Sequence, residues 1–214
     1  KKLNSKKAFG AHVDQYEHAS KELGCTMQFS VIDPTPACGS VDAKLPVIYW
    51  LSGLTCTDRN FIDKAGAFAA AVKYKVFIVC PDTSPRGVDI EGDSESWDFG
   101  KGAGFYVNAT EPRWKENYRM YDYVTKELPA VVSSVLPVNG LQSIMGHSMG
   151  GHGALVVALK NPGAYRSVSA FAPICNPSSC PWGQKAFTGY LGADREAWKG
   201  YDATELVLAG EGRG

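Results

Sequence analysis

Two uninterrupted apolar runs, residues 46–51 (PVIYWL) and 76–80 (VFIVC), constrain this chain more than any other feature. A strand with one wet face alternates polar and apolar side chains, so a continuous run belongs in a sheet covered on both faces. Between the runs, residues 61–73 carry an alanine-rich helical pattern, which makes 46–80 a βαβ unit. Residues 141–145 read as a further buried strand and 168–172 as another, while 27–32 alternates and reads as an antiparallel edge strand. A helix over 117–135 must kink or end at Pro129. The pattern predicts one α/β domain with a mostly parallel central sheet and helices on both faces.

Residues 146–150, Gly-His-Ser-Met-Gly, stand between the strand at 141–145 and a helical pattern at 154–159 that Asn161, Pro162 and Gly163 close. A bare G-x-S-x-G arises by chance in glycine-containing turns; a strand before it and a helix after it make it a candidate nucleophile elbow. Ser148 is then held up on a sharp turn. A serine hydroxyl attacks only when a base takes its proton and the site stabilises the oxyanion. The N–H of Met149, at the N-terminal end of the following helix, is a candidate oxyanion donor.

Two loops leave the C-terminal ends of the buried strands, where open α/β sheets bind ligands. In the first, residues 52–56, the N–H of Leu54 is the candidate for the second oxyanion donor. The second, residues 81–87, leads to a glycine-rich stretch at 98–104 that lacks the Gly-Lys-Ser/Thr ending of a phosphate loop.

Charge and hydropathy narrow the function classes. The 22 basic and 22 acidic side chains cancel among 214 residues, so no net field draws the chain to nucleic acid or an anionic membrane. No run approaches the roughly 18 consecutive apolar residues of a membrane span, and the lysine-rich start reads as a solvated terminus. Six cysteines at 25, 38, 56, 80, 175 and 180 include no C-x-x-C pair, so free thiols are expected in place of disulfides or zinc. Cys80 ends a strand and should be buried. Cys56, in a polar turn after a strand, is either exposed near a site or an inert structural thiol.

Residues 51–57 (LSGLTCT), 81–87 (PDTSPRG), 146–155 (GHSMGGHGAL) and 169–177 (SAFAPICNP) together resemble the S-formylglutathione hydrolase, or esterase D, family. Residues 97–106, 118–121, 181–187 and 201–204 extend the resemblance over most of the chain. It implies an α/β-hydrolase fold and a cytoplasmic, cofactor-free serine thioesterase. Such an enzyme cleaves S-formylglutathione to glutathione and formate through an acyl-serine, in formaldehyde detoxification. It also implies Ser148 as nucleophile, Leu54 and Met149 as oxyanion donors, Cys56, Trp182 and Lys185 at the substrate pocket, and a homodimer. A carboxylesterase or acyltransferase using the same elbow, and a non-catalytic binding subunit, are the alternatives.

One part of the pattern has no counterpart. The α/β hydrolases order their triad as serine, then acid, then histidine, yet no histidine follows His152. His12 and His18 precede the expected sheet, His147 should point away from its neighbour Ser148, and His152 reads as a helix-packing side chain. Asp194 and Asp202 read as solvated surface carboxylates. The triad acid and base are therefore expected outside these residues. The chain, ending in a glycine-rich stretch at 211–214, is read as a C-terminally incomplete domain lacking roughly 60 to 70 residues, with a strand edge left uncovered.

Overall fold

The computed structural model describes residues 1–40 and 43–212; Arg213 and Gly214, the last of the glycine-rich stretch, lie outside the described residues. Seven strands form one sheet: β1 (Lys2–Ala8), β2 (Ala11–Ser20), β3 (Cys25–Asp33), β4 (Leu45–Leu51), β5 (Phe77–Pro81), β6 (Val138–His147) and β7 (Val168–Phe171). Their order across the sheet is β1-β2-β3-β5-β4-β6-β7. The first three are antiparallel, β3 joins β5 antiparallel, and β5, β4, β6 and β7 run parallel. This is the doubly covered α/β sheet that the apolar runs predict.

The two runs behave differently in detail. All five residues of β5 are buried, as a central strand between two layers requires. In β4, Val47, Tyr49 and Leu51 enter the larger core, while Ile48 and Trp50 on the opposite face are half-covered. That second face carries a smaller core of Val13, Ile32, Ile62, Ala71 and Ile78. The expected helix at 61–73 is two short ones, α1 (Asn60–Lys64) and α2 (Phe68–Tyr74), broken at Gly66 with φ +62°.

Four expectations need correction. The alternating stretch at 27–32 is β3, an interior strand between β2 and β5 and not an edge. The lysine-rich start is exposed as expected, but it belongs to the sheet: β1 and β2 form a hairpin, so His12 and His18 lie within the sheet and not ahead of it. The expected buried strand at 141–145 exists within β6, but Leu141 is exposed and of those five residues Ile144 alone is buried. Pro129 does not end its helix. Helix α3 (Met120–Asp122) passes through a π-helical turn at Tyr123–Glu127 into α4 (Leu128–Val135), where Pro129 sits in the first turn. The wide turn absorbs the missing N–H and the ring of the proline.

The helix after the elbow is α5 (Met149–Lys160), and α6 (Pro181–Leu191), α7 (Arg195–Lys199) and α8 (Ala203–Leu208) follow β7. Strand β7 forms one edge of the sheet, with Val168 and Phe171 exposed. Among the described residues no helix is long and apolar enough to cross a membrane.

Candidate active site

Ser148 joins β6 to α5 with φ 57° and ψ −120°, a region that a side chain enters only at a cost of about 1–3 kcal/mol. The surrounding backbone holds it there. Its N–H donates to the Phe171 carbonyl at 2.9 Å, and its own carbonyl accepts from His152 N at 3.0 Å and Ile174 N at 3.4 Å. Neighbouring glycines let the elbow close. A Cβ on Gly150 would stand 2.0 Å from the Leu51 carbonyl oxygen, and one on Gly146 would stand 2.2 Å from the Gly150 carbonyl oxygen. The first turn of α5 therefore presses directly on the end of β4. Ser148 itself is half-buried, and among the described residues no side chain hydrogen-bonds its Oγ.

The loop that leaves β4 lies against this turn: a Cβ on Gly53 would stand 3.1 Å from Ser148 Cβ and 3.2 Å from the His147 carbonyl oxygen. Among the described residues, the N–H groups of Leu54 and Met149 donate to no protein acceptor. Two unpaired donors thus flank the serine, one from each element.

A cavity of about 340 Å³ opens beside them, lined by Trp50, Ser52, Gly53, Cys56, Asn60, Phe61, Lys64, Ala65 and His147. Its aromatic wall is Trp50 against Phe61, ring centres 4.2 Å apart. Cys56 is half-buried there, and burial pushes its thiol pKa up, which keeps it protonated and weakly nucleophilic at neutral pH. Trp50, Asn60, Phe61 and Lys64 were not singled out from sequence. Trp50 reads simply as part of the buried run, and the proximity of α1 to the serine comes only from tertiary packing.

Trp182 and Lys185 do not line this cavity. Both are on α6, where Trp182 packs edge-to-face on Trp97 at 5.5 Å. The Lys185 ammonium is 2.5 Å from Asp98 Oδ1 and 2.8 Å from Ser96 Oγ. That ammonium and the Ser96 hydroxyl hold the Asp98 carboxyl below its usual range. Lys185 instead borders a separate cavity of about 590 Å³, with Phe99, Arg195 and Trp198.

Among the described residues none of the titratable groups near the serine hydrogen-bonds its Oγ. His147 is exposed on the cavity wall, and His152 is wholly buried with Nε2 2.9 Å from the Phe105 carbonyl oxygen. Burial drives the His152 pKa down to about 4, so the ring is neutral at physiological pH. Asp194 is an exposed helix cap. Asp202 corrects the expectation of a surface carboxylate: it is fully buried, accepting from Asn176 Nδ2 at 3.1 Å and Ser178 N at 2.9 Å while capping α8. Among the described residues no group of three or more His, Cys, Asp or Glu side chains could hold a metal ion.

Comparison with known proteins agrees with this geometry. The esterase family model matches residues 20–212. The S-formylglutathione hydrolase of Rattus norvegicus is 58% identical over 213 residues, covering 99% of this chain and 74% of that protein. The Arabidopsis thaliana S-formylglutathione hydrolase is 56% identical over 208 residues, covering 96% of this chain and 72% of its own length. Among solved structures, an S-formylglutathione hydrolase from Agrobacterium tumefaciens superimposes with a TM-score of 0.93 at 47% identity, over 98% of this chain and 75% of that one. With a serine elbow, an opposing donor loop and relatives of this similarity, the chain belongs to the S-formylglutathione hydrolase family of serine esterases.

Proposed function

We propose that this protein hydrolyses S-formylglutathione to glutathione and formate through a formyl-serine at Ser148. The observation that carries the reading is the strained Ser148 turn, with the unpaired N–H groups of Leu54 and Met149 on either side of it. Ser148 Oγ adds to the thioester carbonyl as a base takes its proton, and the two N–H groups receive the oxyanion. The C–S bond then breaks, and glutathione leaves as the thiolate and is protonated. Water adds to the formyl ester, the C–O bond to serine breaks, and formate departs.

A formyl group needs almost no acyl pocket, so the cavity walled by Trp50 and Phe61 accommodates the thiol portion, with Cys56 among its lining residues. Trp182 and Lys185, outside this cavity, meet the outer reach of a tripeptide-sized leaving group. The acid and base belong, in this reading, to the part of the relatives' length that this chain does not span. Homodimer formation and a cytoplasmic location complete the proposal.

The test is direct. The natural polypeptide should turn over S-formylglutathione with kcat/KM at least about a hundredfold above that for a simple aryl ester, and a fluorophosphonate should label Ser148. Comparable weak rates on both substrates would instead favour a general carboxylesterase.

A further inference from the structure

The loop that carries Leu54 is fixed from three directions, and one of them uses a charged group with no part in the chemistry above. Tyr106 OH donates to the Ser52 carbonyl at 2.8 Å. Thr55, held at φ +66°, donates its N–H to the Gly102 carbonyl at 2.9 Å, and Gly102 N donates in turn to Ser84 Oγ at 2.8 Å. The third hold is on the Cys56 carbonyl oxygen, which accepts from Thr83 Oγ1 at 2.6 Å and from the Arg86 guanidinium at 3.1 Å. Both donors are themselves aimed by one carboxylate. Asp82 takes Arg86 Nη2 at 2.8 Å and Nε at 3.1 Å on the same oxygen that accepts Thr83 N at 2.6 Å.

We propose that Arg86, aimed by Asp82 and acting with Thr83, is a positioning residue that orients the Leu54 N–H toward the oxyanion through the Cys56 carbonyl. This rests on the reading of Leu54 as an oxyanion donor. The mechanical link is short: Cys56, whose carbonyl is the anchored group, closes a turn through its own N–H on the carbonyl of the Gly53-Leu54 peptide at 3.3 Å, so the anchor and that peptide are joined through one residue. A shift of Cys56 moves its N–H and with it the Gly53-Leu54 peptide. An arginine suits this position because its planar fork reaches a carboxylate and a carbonyl at once, which a lysine ammonium on a flexible stem does not. The Asp82 carboxylate is buried and takes the guanidinium through two of its nitrogens, which fixes the orientation of a half-buried Arg86.

A purely structural role would lower thermal stability and leave the folded enzyme's turnover intact. Positioning predicts a loss in kcat, because the oxyanion exists only in the transition state. Arg86→Lys and Thr83→Val in the natural polypeptide should each lower kcat about tenfold with KM changed less than about threefold, measured well below the melting temperature. The double variant should lose far less than the product of the two, since both groups act on one carbonyl. Arg113→Gln, which removes an exposed pair with Glu91, serves as the control and should leave kcat unchanged.

The assay is run on S-formylglutathione and on an aryl ester, both of which need the oxyanion site. A wild-type enzyme active only on the ester removes the thioester reading while the variants still test Arg86. Lowered melting temperature with unchanged kcat on an active substrate overturns the proposal. Absence of any turnover and of Ser148 labelling overturns both.

Discussion

His152 Nε2 stands 2.9 Å from the Phe105 carbonyl oxygen, which makes that nitrogen the donor and leaves Nδ1 buried with no partner among the described residues. The histidine one turn beyond Ser148 is therefore committed to the fold. It ties α5 to a segment in which Phe105 and Tyr106 both hold positive φ, at 50° and 52°. Burial keeps the ring neutral, outweighing the hydrogen bond to Phe105, which a charged ring would also donate. With a folded pKa of about 4 against roughly 6.5 unfolded, the unfolded chain binds the extra proton as pH falls. Stability is fully present above pH 6.5 and is lost as pH drops toward 4, by an amount on the order of 3 kcal/mol. His18, also lowered by burial, adds in the same direction. Urea melts at pH 7 and pH 5 on wild type and His152→Gln isolate the contribution. The amide can still donate to Phe105, and its melts should lose most of the slope; an unchanged slope would refute the assignment.

The backbone at Ser148 makes a second prediction. At φ 57° and ψ −120° the side chain is carried at a conformational cost that glycine does not bear. Ser148→Gly should abolish fluorophosphonate labelling and raise stability by about 1 kcal/mol, whereas Ser148→Ala should abolish labelling with little change. A glycine variant less stable than the alanine variant in chemical denaturation would show that the turn stores no strain.

How far the sequence reveals this architecture depends on where burial is continuous. Residues 46–51 and 76–80 declare a parallel interior because both their faces are covered to a large extent. The hairpin β1–β2 gives no such signal. Lys2–Ala8 is exposed almost throughout, and the alternation of β2 is broken by Asp14, whose burial is tolerated through its 2.5 Å contact with Lys2 across the hairpin. The strand-to-helix turn at Ser148 and Met149 and the loop at Leu54 are legible because local spacing fixes where they fall in the fold. The partners of Asp202 are not, since Asn176 and Ser178 come from a distant loop, and neither is Phe61, which reaches the cavity only by packing on Trp50.

Close packing at the elbow yields a third prediction. A methyl on Gly150 would meet the Leu51 carbonyl carbon at 2.4 Å and its oxygen at 2.0 Å, both backbone atoms of an interior strand. Neither α5 nor β4 can retreat, because β4 is paired on both sides by β5 and β6. Gly150→Ala should cost at least about 3 kcal/mol and leave little soluble protein at 37 °C. Gly163→Ala, where the added Cβ meets nothing within 4 Å but φ is +80°, should cost only about 1 kcal/mol. Paired denaturation curves test the contrast.

The thiols provide a fourth test, one that reports on the cavity without turnover. Cys175 is exposed, Cys56 is half-buried, and Cys80 lies in a strand with no exposed surface. Burial pushes the Cys56 thiol up and the Cys80 thiol well up, which lowers the thiolate fraction that reacts. Alkylation followed by peptide mass spectrometry at pH 7.5 should modify Cys175 first and Cys56 about tenfold more slowly. Cys80 should react only as the sheet opens globally, so its rate should follow denaturant in step with unfolding. A ligand seated against Trp50 and Phe61 covers Cys56 and leaves Cys175 free. Saturating S-methylglutathione should therefore slow Cys56 alone, and equal protection of both cysteines would move the thiol portion of the substrate out of this cavity.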